Sequence, residues 1–151
     1  MSQELHQEFI YNAISLIAQK LQNQGDQLFD EVSAKQFRLL RELYQLDYPL
    51  SLVELANWLG TSRQNTKSLI NNLEHKGYVK VEPSELDKRS LQICLSAKGK
   101  RFVSQSEDMY TNYISILFKD FSSKELAQSA RFMQELSDSI DSLNDLSDNR
   151  S

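Results

Sequence analysis

The chain has 151 residues, of which 40% are apolar and 25% charged, with a formal net charge of −4, four glycines, two prolines and one cysteine. That balance supports a single folded core, predicts a mostly helical chain with few long loops, and excludes an internal disulfide. No apolar run approaches the ~20 residues that span a bilayer, and the N-terminus lacks a basic stretch followed by an apolar core, so a cytoplasmic protein without membrane contact is expected.

The first predicted helix runs from Leu5 to about Gln22, with Leu5, Phe9, Ala13, Ile14, Ile17 and Leu21 on one stripe and Gly25 and Asp26 ending it. Ser33 and Gln36 stand at capping-box spacing and open a second helix that turns Phe37, Leu40, Leu43 and Tyr44 inward. Asp47 to Leu50, with Pro49, breaks the chain. Ser51 and Glu54 then start a short helix carrying Leu52, Leu55, Ala56 and Leu59, which Gly60 terminates. Ser62 caps a helix from Arg63 to about Lys76, with Gly77 as its left-handed stop. Two short helices around a tight glycine-containing turn form a helix-turn-helix pattern.

The second of those helices has two unlike faces. Leu69, Ile70 and Leu73, with Thr66 a turn earlier, make the apolar one. Gln64, Lys67, Ser68 and Asn71 line the other, which offers amide, hydroxyl and ammonium groups and no carboxylate. Such groups suit base edges and phosphates in a major groove. Beyond Gly77 the period becomes alternating: Tyr78 to Val81 predict one strand and Leu91, Ile93 and Leu95 another, joined by the polar PSELDKR. A hairpin with a basic tip directly after a helix-turn-helix describes a winged helix.

Ser96 can cap a long helix reaching about Lys119, with Phe102, Val103, Met109, Tyr110, Tyr113, Ile114, Leu117 and Phe118 apolar. Ser122 and Glu125 open a last helix carrying Leu126, Ala130, Met133, Leu136, Ile140 and Leu143, and the polar tail from Asp145 is expected to fray. Charge is unevenly distributed. Residues 51–101 hold nine basic and five acidic side chains, whereas residues 1–50 hold four and seven and residues 102–151 four and nine. The positive excess therefore sits on the helix-turn-helix and hairpin, where phosphate attraction requires it.

The stretch ELANWLGTSRQNTKSLINNLEHKGYV, followed by LDKRSLQICLSAKG, resembles the MarR (multiple-antibiotic-resistance regulator) family of winged helix-turn-helix transcription factors. Asp87 and Arg89 occupy that family's D-x-R wing, and Leu95, Ser96 and Gly99 its helix entry. Val81, Lys88, Thr61 and Thr66 depart from its commoner residues. The resemblance implies a mainly α fold with a small β-hairpin wing: a head over residues 33–99 and dimerisation helices over 1–24 and 100–144, within one domain. It implies a homodimer on a palindromic stretch of double-stranded DNA, most simply a repressor that occludes polymerase and is released by a small-molecule effector.

Candidate DNA contacts are Ser62, Arg63, Gln64, Asn65, Lys67, Ser68 and Asn71 on the helix, with Lys88 and Arg89 on the wing. Arg89 suits a minor groove, and Asp87 is expected to orient the wing by partnering a basic side chain. Phe37, Tyr44, Trp58, Tyr110 and Tyr113 are candidates for an effector pocket, although core packing explains aromatics at helical spacing equally well. Cys94 points away from the face that Ile93 and Leu95 bury, and no flanking cluster marks it as reactive. His6 and His75 lie far apart without ligands at metal spacing, so no metal is expected. No phosphate-binding glycine loop and no nucleophile with an adjacent base is present, so neither an enzyme nor a cofactor is expected. The competing reading is a winged-helix protein-interaction module without specific DNA binding.

Overall fold

Serine side chains set where the helices begin. In the computed structural model, which describes residues 2–149, the elements in order are α1 (Gln3–Gly25), α2 (Ala34–Leu46), β1 (Leu50–Ser51), α3 (Leu52–Leu59), α4 (Arg63–His75), β2 (Val79–Pro83), β3 (Leu91–Leu95), α5 (Ala97–Leu117) and α6 (Ser123–Asp148). At α2 the Ser33 hydroxyl accepts from the Gln36 N–H at 3.1 Å while the Gln36 side chain accepts from the Ser33 N–H at 3.0 Å. The same reciprocal box closes α3 through Ser51 and Glu54, and α6 through Ser122 and Glu125. Each cap satisfies N–H groups that a helix start leaves unpaired, stabilising it by about 1 kcal/mol.

The helix ends are equally local in origin. Asp47 and Gly60 adopt left-handed backbone (φ 54° and 66°) after α2 and α3. After α4, Gly77 (φ 83°) lets its N–H reach the Glu74 carbonyl and the Tyr78 N–H reach the Leu73 carbonyl, both at 2.9 Å. This Schellman turn feeds α4 directly into the first wing strand.

The sheet has the order β1-β3-β2, antiparallel throughout, with Leu50 opposite Ile93 and Val79, Val81 and Pro83 opposite Leu95, Ile93 and Leu91. Strand β1 is absent from the sequence expectation, since two residues are too few to show alternation. The last helix also departs from expectation: it continues through Asp148 instead of fraying from Asp145.

Two compact units divide the chain, residues 1–107 and residues 108–151. The first contains the core. Leu39, Leu40, Leu55, Leu73, Ile93 and Val103 are fully buried in it, and Phe29, Phe37, Phe102 and Tyr78 stack beside them with ring centroids 4.3–6.2 Å apart. Helix α1 presents Leu5, Phe9, Ile17 and Leu21 to solvent. In the second unit α6 buries no residue and exposes Met133, Ile140, Leu143 and Leu146. There the backbone N–H and then the hydroxyl of Ser122 hold the Glu125 carboxyl below its ordinary pKa. No helix among the described residues is long and apolar enough to cross a membrane.

Candidate nucleic-acid interface

Helix α4 is seated by its apolar face and leaves its polar face free. Thr66, Ile70 and Leu73 are buried. The Thr66 hydroxyl donates to the Ser62 carbonyl at 2.9 Å, so a threonine stands in this apolar face at no cost in unpaired groups. Asn72 fixes the helix sideways, its carbonyl oxygen accepting from the Gln36 amide of α2 at 2.8 Å. Arg63, Gln64, Asn65, Lys67, Ser68 and Asn71 are all exposed. Ser62 uses its hydroxyl to cap the helix through the Asn65 N–H at 3.1 Å, and the Asn65 amide donates to the Thr61 hydroxyl at 3.2 Å. The side chains of Gln64, Lys67, Ser68 and Asn71 make no hydrogen bond to another described residue and are therefore available to a partner. Glu74, near the end of α4, accepts from the Val81 N–H at 3.2 Å and so ties the wing root to the helix.

The wing tip is an organised turn. The Ser84 N–H donates to the Ser90 carbonyl at 2.8 Å, and the Ser90 N–H to the Asp87 carbonyl at 2.9 Å. One Asp87 carboxylate oxygen accepts from the Arg89 N–H at 3.0 Å and the other from the Ser90 hydroxyl at 3.3 Å. Asp87, expected to orient the wing, engages backbone and hydroxyl groups of the turn. Its carboxylate grips the backbone two residues on, as an Asx-turn does, and leaves the Lys88 and Arg89 side chains exposed. Leu86, absent from the sequence-based candidates, stands 99% exposed at this tip.

Lys35 is a second residue absent from those candidates. It lines a shallow hollow with Thr61, Asn65, Ser68 and Leu69, so it lies beside the exposed face of α4. No local signal announces this, because the Gln36–Asn72 bond that brings α2 against α4 joins residues 36 apart. If duplex DNA lies on this face, Lys35→Gln is expected to reduce the slope of log affinity against log salt by about one, equally for any duplex sequence. An unchanged slope in a salt titration would remove Lys35 from the interface.

The aromatic candidates for an effector pocket belong to different elements. Phe37 is only 2% exposed, its ring packed in the core cluster. Tyr44 is exposed on α2, and Trp58 lies on α3 with the Arg38 guanidinium 5.2 Å above its ring. Tyr110 and Tyr113 belong to the second unit. Cys94 is half-buried and lines a hollow with Leu43, Tyr48, Pro49, Leu95 and Lys100. Burial first, and Glu82 second, push its thiol pKa up against the opposing pull of Lys80 and Lys100, which disfavours the thiolate. His75 is exposed, and no cluster of His, Cys, Asp or Glu among the described residues has a metal-holding arrangement.

The sequence model of the MarR family matches residues 31–90, which run from just before α2 to the end of the wing loop. A MarR transcriptional regulator from Methanosarcina mazei has the same fold over 88% of this chain and 99% of its own, with a TM-score of 0.76 and 27% identity. Over residues 31–90, then, this chain is similar to the MarR family. MarR from Escherichia coli, in a mutant form complexed with operator DNA, shares the fold at a TM-score of 0.77 and 19% identity, covering 90% of this chain and 99% of its own. The transcriptional activatory protein BadR of Rhodopseudomonas palustris is 28% identical over 97 residues, 64% of this chain and 55% of its own. The chain therefore spans about half the length of the curated relatives it matches. Both α4 and the β2–β3 wing carry exposed cations, Arg63 and Lys67 on the helix and Lys88 and Arg89 on the wing loop.

Proposed function

We propose that this protein is a homodimeric, sequence-specific DNA-binding transcription regulator. The observation that carries the reading is the exposed face of α4, whose amide, hydroxyl and ammonium groups are unengaged, beside a wing whose turn holds Lys88 and Arg89 outward. Gln64, Lys67, Ser68 and Asn71 meet base edges or phosphates in a major groove, Ser62, Arg63 and Asn65 contact the DNA at the helix start, and Arg89 enters the adjoining minor groove. The apolar stripes of α1 and of α6 support dimerisation, since each exposes large apolar side chains at helical spacing, as an association face does. The helices of residues 1–24 and 100–144 pair the subunits, and the operator is then a two-fold repeat with half-sites about 34–36 Å apart.

Occlusion of a promoter is the outcome that binding alone supplies, so repression is the proposed sign of regulation, in the cytoplasm where promoter DNA lies. A small molecule that changes the separation of the two heads would release it. The exposed Leu86 between Glu85 and Asp87 favours a second reading, a wing that contacts protein.

Selection of bound duplexes from a random library separates the two. An inverted repeat is expected for the wild type, with weaker enrichment for Arg89→Ala. Folded dimer that enriches no duplex at low salt would leave the protein-contact reading standing.

A further inference from the structure

Strand β2 is an edge of the sheet, and its outward backbone groups bear on how the wing is held. Tyr78 accepts from the Ser96 N–H at 3.0 Å, and the Ser84 N–H donates to the Ser90 carbonyl at 2.8 Å. The even-numbered residues of the hairpin therefore bond to β3, and because antiparallel pairing alternates, the odd-numbered ones turn their N–H groups away from it. Val79 is buried at the start of the strand, and Pro83 has no N–H to offer. Val81 lies between them, and its outward N–H donates to the Glu74 carboxylate of α4 at 3.2 Å. Glu74 is exposed and makes no ion pair with a described residue, so its carboxylate holds a backbone N–H and not a cation. Val81 stands opposite Ile93, and Ile93 opposite Leu50 of β1, with Ile93 and Leu50 buried. Glu74 and β1 thus grip the same row of the sheet from its two edges.

We propose that Glu74 is a positioning residue for the wing: it fixes where Arg89 meets DNA relative to the bases under α4. The inference rests on the proposed reading of duplex DNA. A hydrogen bond from the reading helix itself links the two elements directly, so helix and wing approach the duplex as one body. Without it, β2 beyond the buried Tyr78 and Val79 is held only through β3. From Val81 to Leu86 at the tip is about five residues, at most ~17 Å of chain. A swing of about 10° about the Val81 row moves the tip by about 3 Å, close to the ~3.4 Å rise of one base pair. Arg89 would then sample neighbouring steps of the groove. A carboxylate repels phosphate, so direct contact with DNA does not explain an acidic residue on this helix, whereas accepting the Val81 N–H does.

The test is a pair of double-mutant cycles, with affinities for the selected duplex read by fluorescence anisotropy. In the Glu74→Ala background, Arg89→Ala is expected to cost at least about threefold less than in the wild type, because the wing contact is already degraded. Gln64→Ala, on α4, should cost the same in both backgrounds within about twofold. Glu74→Gln keeps an oxygen that can accept the Val81 N–H and should restore the full Arg89→Ala cost. Glu74 is exposed, so the variants are expected to fold, which circular dichroism checks. An Arg89→Ala cost unchanged by Glu74→Ala would overturn the proposal. So would equal losses at Arg89 and Gln64, or a Glu74→Ala chain that does not fold, since Glu74 would then support α4 or the head as a whole. Glu74→Gln behaving as Glu74→Ala does would overturn it too, because charge and not the acceptor would then matter. A wild type that binds no duplex instead sinks the DNA-binding reading itself.

Discussion

Gly99→Ala is expected to destabilise the first unit by about 3 kcal/mol or more. A β-carbon at this position would lie 2.1 Å from the Tyr78 carbonyl oxygen and 3.1 Å from both the Tyr78 carbonyl carbon and Leu95 Cδ2. The obstacle is backbone, and that backbone is held from two sides. The Tyr78 carbonyl accepts from the Ser96 N–H at 3.0 Å, and the Tyr78 N–H closes the turn that ends α4. Relief would require α5 to lift from the wing root or the end of α4 to unwind, and either displaces the elements that carry the proposed contacts. Equilibrium urea unfolding followed by circular dichroism measures the loss. A variant within about 1 kcal/mol of wild type would show that α5 docks with more slack than the packing implies. Gly77→Ala is a useful contrast: the site offers room, its nearest neighbour being Lys98 Cδ at 3.6 Å, and only the positive φ opposes a side chain. Its cost should stay nearer 1 kcal/mol.

The difference between these glycines shows what is legible in the amino-acid order. Gly77 is readable as a helix stop because its role is set by the neighbouring residues of its own turn. Gly99 stands in a family motif, but the reason for it is a carbonyl 21 residues earlier in the chain, which no spacing rule exposes. The same division runs through the fold. Ser33–Gln36, Ser51–Glu54 and Ser122–Glu125 are capping boxes in sequence and in structure, because both partners lie within one helical turn. Strand β1 exists only because β3 passes beside it, so Leu50 and Ser51 carry no signal of their own.

In the candidate interface, the polar face of α4 follows from helical period alone. Lys35 reaches its neighbourhood only through the tertiary approach of α2. Phe37 shows the converse limit. An aromatic at helical spacing is compatible with a pocket or with a core, and the Phe29 ring that lies 4.3 Å from it, centroid to centroid, comes from outside its helix.

Exchanging Asp87 for asparagine is expected to leave duplex affinity unchanged or to raise it, whereas Asp87→Ala should lower it nearly as far as Arg89→Ala does, by roughly five- to a hundredfold. The asymmetry follows from what the side chain holds. An asparagine oxygen can accept the Arg89 N–H just as the carboxylate does at 3.0 Å, preserving the turn that presents Lys88 and Arg89. It also removes a negative charge from the part of the wing nearest the phosphates, which favours binding. Alanine offers no acceptor, so the Arg89 N–H and the Ser90 hydroxyl lose their partner and the tip samples other conformations before it can engage a groove. Fluorescence anisotropy with the selected duplex at a single salt concentration distinguishes the cases. Had Asp87 worked by charge, steering the Arg89 guanidinium, the asparagine and alanine variants would fall together. Their separation ties the wing's function to the geometry of one backbone N–H.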